Sequence, residues 1–250
     1  VVVDRTNPTG QAPRARSITP PVVPPTSEAE LLARARALAG HTLGTLAARE
    51  GLPVPDTLAR AKGWVGQRLE AALGATARSR AEPDFPALGV ELKTLPVALD
   101  GRPLETTFLT TLVPDRIVDE TWSTSAVRSK IARVLWIPIE ATPARPIAER
   151  RVGSALLWSP DANDERRLEA DWAAVRSLVA RGFLDGLTAE LGEVLQVRPK
   201  AAHARVTRWG TGPDGEPERV QPRGFYLRTR FTHALLARHF VVSDRRGGMP

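Results

Sequence analysis

The strongest constraint on the fold is a change of hydrophobic period within one short stretch of chain. Residues 62–74, KGWVGQRLEAALG, place Val65, Leu69 and Leu73 at four-residue steps, which is the pattern of a helix with one buried stripe. Residues 88–95, LGVELKTL, alternate instead. On a strand, Val90 and Leu92 face one way while Glu91 and Lys93 face the other. A chain that switches period in this way mixes helices with strands.

The remaining signals agree with that reading. Ser27 is a candidate N-cap, with Glu30 completing a capping box for a helix that runs to Gly40. A second short helix is expected over about 42–50, ended by Gly51-Leu52-Pro53. An Asp100-Gly101 turn precedes an expected strand over Thr106–Val113, and the apolar run Val134–Ile139 reads as a buried strand. Residues 163–182 are expected to be helical, with Leu168, Trp172, Val175 and Val179 inside. Leu195–Val197 is a short strand, 209–219 a Gly/Pro-rich loop, and Gly224–Arg228 a strand. A final helix, capped by Thr232, reaches about 240. Helices first, then strands and helices intermixed, define an α/β class of mixed α+β character.

Composition narrows what such a chain can do. The six prolines at 8, 13, 20, 21, 24 and 25 leave residues 1–27 with few large apolar groups, so a disordered arm is expected there. The tail 243–250 is expected to be flexible. There are no cysteines, which excludes disulfides, a thiolate zinc site and a cysteine nucleophile. No apolar run is long enough to span a bilayer, and no basic-then-apolar leader opens the chain. A cytoplasmic protein with no membrane partner is therefore expected. The formal charge of +7 favours an anionic partner, nucleic acid first. Only four of the 35 basic residues are lysines: Lys62, Lys93, Lys130 and Lys200. Where arginine is the default cation, a retained lysine marks a place for a compact charge that can lose its proton.

One cluster carries chemistry. Asp84-x6-Glu91-x-Lys93 sets Glu91 and Lys93 on one face of a strand, with a second carboxylate from the preceding element. Paired carboxylates from adjacent elements can hold a hard divalent ion, and Mg²⁺ suits a site with few protein oxygens. Lys93 would then orient a water, help deprotonate it, or stabilise a charged phosphorus. Glu70, one helix earlier, adds a third carboxylate. On spacing alone, a solvated Glu–Lys pair on an edge strand explains the pattern as well.

The words around the cluster are more specific. Lys62-Gly63-Trp64-Val65-Gly66, Leu69-Glu70, Asp84-Phe85 and Leu88-Gly89-Val90-Glu91-Leu92-Lys93-Thr94 resemble the MutH family of mismatch-repair endonucleases. The likeness continues through Gly101–Phe108, Arg133–Pro138, Arg150–Ser154, Leu156–Pro160, Arg198–Ala202, Arg223–Leu227 and Ala234–Phe240. It spans about 28–240. The resemblance implies a restriction-endonuclease-like fold, a central mixed sheet flanked by helices, with two lobes around a DNA cleft. The domain would be 28–242, with a catalytic lobe over about 28–115 and a DNA-recognition lobe over about 116–242. It implies nicking of the unmethylated strand 5′ to the G of hemimethylated GATC, with Mg²⁺ or, as a substitute, Mn²⁺. The partners implied are duplex DNA, MutL as activator and MutS indirectly, with the enzyme acting as a monomer.

The family's catalytic positions fall on Glu70, Asp84, Glu91 and Lys93, with Asp84 and Glu91 as metal ligands. Its DNA-reading positions fall on Lys62, Phe108, Arg198, Lys200 and Tyr226. Adenine presents N6 as donor and N7 as acceptor in the major groove. Lys200, or a carbonyl beside it, could meet those edges, with Tyr226 as the wall that detects an N6-methyl. Arg198 suits bidentate contact with guanine or phosphate. Phe108 fits either a wedge at the groove or the core, and Tyr226 fits the core as well. Lys130 is placed either near phosphate or on a solvated face. Two rivals remain at this point: a GATC-type restriction endonuclease that cuts both strands, and a DNA-binding protein without cleavage activity.

Overall fold

The structure is a computed structural model, and it describes residues 22–58, 63–77, 82–200, 208–211 and 216–240. In chain order the helices and strands are α1 (Glu28–Ala37), α2 (Leu43–Arg49), α3 (Trp64–Leu73), β1 (Glu91–Val97), β2 (Thr107–Leu112), α4 (Pro114–Ile117), α5 (Ala126–Ile131), β3 (Val134–Glu140), β4 (Leu156–Trp158), α6 (Ala162–Ala180), β5 (Leu195–Pro199), β6 (Arg208–Thr211), β7 (Pro217–Val220), β8 (Arg223–Leu227) and α7 (Thr229–His239). Among the described residues, no helix is long and apolar enough to cross a membrane.

Side-chain caps start four of the helices, α1, α2, α5 and α6. Ser27 Oγ accepts from Glu30 N at 3.2 Å and starts α1, while Glu30 Oε2 reaches past the cap to accept from Thr26 N at 2.8 Å. The expected capping box is therefore shifted by one residue. Asp161 caps α6 by accepting from Asn163 N and Asp164 N, both at 2.8 Å, and the acids of that first turn complement the helix dipole.

Three expectations change. The final helix begins at Thr229 rather than at Thr232, whose hydroxyl instead donates back to Thr229 O at 3.1 Å. The stretch 209–219 is not simply a loop: β6 pairs antiparallel with β7, and Gly210 and Pro217 lie within the paired strands. The proline-rich arm ends earlier than 27. Pro25 is buried, and Arg34 Nη1 donates to Val23 O at 2.6 Å, so residues 22–26 lie against the helices that follow. A charged hydrogen bond to the backbone and the buried Pro25 ring outweigh a local composition poor in large apolar groups. Residues 1–21, and the tail from 243, lie outside the described residues.

The mixed sheet has the order β1-β3-β4, with β1 and β3 parallel and β3 and β4 antiparallel. A second, antiparallel sheet has the order β2-β8-β5. β3 is buried on both faces apart from its last residue, which explains its unbroken apolar run. Its Leu135, Ile137 and Ile139 join Leu92 in a core with α1, α2 and α3. Its Val134 and Trp136 join Leu95 and Val97 in a second core with α6, α7 and both outer strands of the second sheet. The packing thus divides across the two faces of one sheet. β2, which lies before residue 115, pairs with β8 from the C-terminal part of the chain.

Candidate active site and nucleic-acid interface

A tight turn gathers the acids. Pro86–Leu88 form a single 3-10 turn, ended by Gly89 at φ 65°. Phe85 N donates to Val90 O at 2.9 Å and Val90 N to Phe85 O at 3.3 Å. This rung closes the six-residue spacer, so Asp84 and Glu91 flank it as neighbours. It also explains why the strand starts at Glu91 rather than at Leu88. β1 is an edge strand, and Asp84 Oδ2 accepts from its Leu92 N at 2.7 Å. An outward-facing N–H that could pair with another chain is thereby occupied, and the carboxylate is fixed in place.

Glu91 and Lys93 share a face, as alternation requires, and Lys93 Nζ donates to Glu91 Oε1 at 2.6 Å. The same face continues inward as Leu95 and Val97, so the site is the open end of a core face. Glu91 is only 4% exposed. Its other oxygen, Oε2, accepts from Lys130 Nζ at 3.0 Å, and that ammonium also donates to Glu82 O at 3.1 Å. Lys130 stands inside the acid cluster rather than on a solvated face. The scarcity of lysine was the available signal, but α5, which carries it, has too weak a pattern to place it.

Glu70 lies on α3 with its carboxylate over Gly66, one turn earlier. Burial first, then the charges of Asp84 and Glu91, push the Glu70 carboxyl above the ordinary range. Asp84 is likewise raised, by burial and by Glu91, against the lowering pull of Leu92 N, Lys93 and Lys130. Three carboxylates therefore feel one another's charge in a half-buried site. Such a set suits a hard cation, which relieves exactly that repulsion through oxygen donors. No group of three or more His, Asp or Glu is arranged to hold a metal by itself among the described residues. Magnesium needs only one or two carboxylates, its other positions going to water and phosphate.

Four of the expected DNA-binding residues, Phe108, Arg198, Lys200 and Tyr226, gather at the second sheet. Phe108 and Tyr226 are register partners across β2 and β8, with ring centroids 5.3 Å apart and edges to faces. Arg198 lies over the Tyr226 ring at 5.8 Å and donates to Thr106 Oγ1 at 2.9 Å. Lys200 lies over the Phe108 ring at 4.4 Å and donates to Thr111 Oγ1 at 2.8 Å. Both rings are half-buried and both cations exposed, so this is a surface of two aromatics edged by positive charge. Burial pushes the Tyr226 phenol up, against Arg198, so it stays a neutral hydroxyl at working pH. Gly224 completes the surface: a Cβ there would lie 2.8 Å from Phe108 Cε2. Thr106, Thr111 and Gly224 were not singled out from the sequence, since hydroxyls and glycines carry no signal until the register is known. Lys62 lies outside the described residues.

An acid-x-lysine pair on the edge strand of a mixed sheet, with a further acid delivered by the turn before it, is the arrangement of nucleases with the restriction-endonuclease-like fold. Comparison with known families narrows this class. Residues 73–171 match the family model described as "DNA mismatch repair enzyme MutH". Proteins described as "DNA mismatch repair protein MutH" from Salmonella typhimurium, Salmonella paratyphi B and Salmonella paratyphi C are each 52% identical over 228 residues, covering 91% of this chain and 99% of the relative. The chain belongs to the MutH family of DNA mismatch repair enzymes.

Proposed function

We propose that the protein is the nicking endonuclease of methyl-directed mismatch repair, hydrolysing the unmethylated strand 5′ to the G of hemimethylated GATC. The observation that carries this reading is the Asp84–Glu91–Lys93 cluster, intact at the open end of a core face in a MutH-family chain.

The residues have separable tasks. Asp84 and Glu91 offer oxygens for Mg²⁺, with Mn²⁺ as a substitute, and Glu70 is near enough to orient a water beside them. A divalent ion held there supplies Lewis-acid activation of the attacking water and neutralises charge at phosphorus. Lys93 keeps an ammonium beside Glu91 and steadies negative charge as the phosphorus gains its fifth oxygen. Lys130 adds a second positive charge at the same carboxylate. Phe108, Arg198, Lys200 and Tyr226, together with Lys62, contact duplex DNA. Arg198 contributes a rigid fork of donors, Lys200 a point charge, and Tyr226 a wall against an N6-methyl. The protein acts as a monomer, activated by MutL, which is recruited in turn by MutS.

The test uses duplexes carrying one GATC site, unmethylated, hemimethylated or fully methylated, incubated with Mg²⁺ with and without MutL. The expected result is a single nick in the unmethylated strand, stimulated by MutL, and none in the fully methylated duplex. Double-strand cuts independent of MutL would assign the chain to restriction, and binding without cleavage would make it a passive DNA-binding protein.

A further inference from the structure

We infer that Asp171 is a positioning residue for DNA recognition: it sets the register of the strand that carries Arg198 and Lys200. The inference rests on the reading of that surface given above.

Asp171 lies on α6, far in sequence from either functional cluster, and is buried. Its carboxylate accepts from three successive backbone N–H groups. Glu193 N donates to both oxygens at 2.8 Å, Val194 N to Oδ2 at 2.6 Å and Leu195 N to Oδ2 at 2.8 Å. A single side chain thus gathers the entry into β5. The turn before it is drawn tight. Gly192 has φ 88°, and a Cβ there would lie 2.0 Å from Leu195 O and 3.1 Å from Asp171 Cγ, so only glycine fits.

β5 needs such an anchor. Among the described residues it is the outer strand of the β2-β8-β5 sheet and pairs with β8 alone. An edge strand held by one partner is prone to slip, and a one-residue slip turns every side chain to the opposite face. Here a slip would carry Arg198 off the Tyr226 ring and Lys200 off Phe108. Arg198 stands only three residues past Leu195 on a five-residue strand, so an error of register at the anchor is passed to it directly. Arg230 holds the same approach to β5, its Nε donating to Glu193 O at 2.6 Å.

Asp171→Asn is the direct test. The amide is nearly isosteric, but its NH₂ would face backbone donors, so at least one of the bonds is lost. The ratio of kcat/KM for GATC to that for sites with one base changed is measured alongside the thermal melt. The expected result is a fall of about ten-fold in that ratio, the scale of one well-placed base contact. Arg230→Ala, at an exposed residue, should lower the ratio in the same direction by less, and it serves if Asp171→Asn does not fold. Restoring the carboxylate with Asp171→Glu should recover part of the loss. A ratio unchanged in the folded variants, with only the melting temperature lowered, would overturn the inference and leave Asp171 a structural cap. Arg198→Ala and Lys200→Ala serve as controls. If these also leave the ratio unchanged, the reading of the surface fails; if they lower it while Asp171→Asn does not, only the register role fails.

Discussion

Glu70 and Asp84 are held at a cost to the fold. Burial and neighbouring carboxylates raise both above their ordinary values. A carboxyl whose folded pKa exceeds its unfolded one destabilises the chain once pH rises above the unfolded value, and most fully above the folded one. The penalty disappears as pH falls back through that window. Glu70→Gln should therefore raise the melting temperature in metal-free buffer at neutral pH while lowering nicking. Its advantage over the unsubstituted protein should shrink toward pH 4, as scanning calorimetry would record; a lower melting temperature at neutral pH would contradict the account. Lys93→Arg should abolish turnover and spare DNA binding, because a planar guanidinium fork cannot reproduce a compact ammonium against Glu91. Near-normal nicking by that variant would remove Lys93 from the mechanism. Lys130→Met should slow nicking about 10²-fold, the loss seen when one charge-stabilising donor is removed, with duplex affinity much less affected in a gel-shift titration. The acids and Lys93 were legible in the sequence because strand alternation alone puts 91 and 93 together. Lys130's place was not, since its bond to Glu91 spans 39 residues and depends on how α5 packs.

Elements place these residues, and one glycine shows how closely. Gly224 on β8 lies beneath the Phe108 ring, where a methyl group would approach to 2.8 Å. Gly224→Ala should leave the protein folded but push Phe108 off its packing against Tyr226. About a ten-fold weaker binding of a GATC duplex is expected by fluorescence anisotropy, on the scale of one stacked aromatic contact. Unchanged affinity would mean that the Phe108–Tyr226 pair does not meet DNA. The helices α3 and α6 were readable because burial of one face repeats along them, and β3 because burial on both faces leaves an unbroken apolar run. The start of β1 was misread, since Leu88 and Val90 fit an alternating pattern while Pro86 and Gly89 impose a turn. The β6–β7 hairpin was hidden because its strands, of four residues each, are too short to show alternation.

At the scale of the whole molecule, one mixed sheet separates two cores and exposes its acid-bearing edge, while a second sheet presents aromatics and cations. The family was legible because matched words run in order along nearly the whole domain. The division of packing was not, because strands from both halves of the chain interleave and no composition change marks the crossing. The net charge of +7 belongs to this scale too. Binding to duplex lacking GATC should weaken steeply and log-linearly with added salt, as counterion release demands; a flat salt response would mean that the charge does not serve DNA binding. The most direct test of the central claim is a strand-resolved nicking assay. A hemimethylated GATC duplex, labelled differently on each strand, is incubated with the protein, MutL and Mg²⁺. The account predicts one product, cut 5′ to the G on the unmethylated strand and absent with Lys93→Arg. Cleavage of the methylated strand, or equal cutting of both, would contradict it.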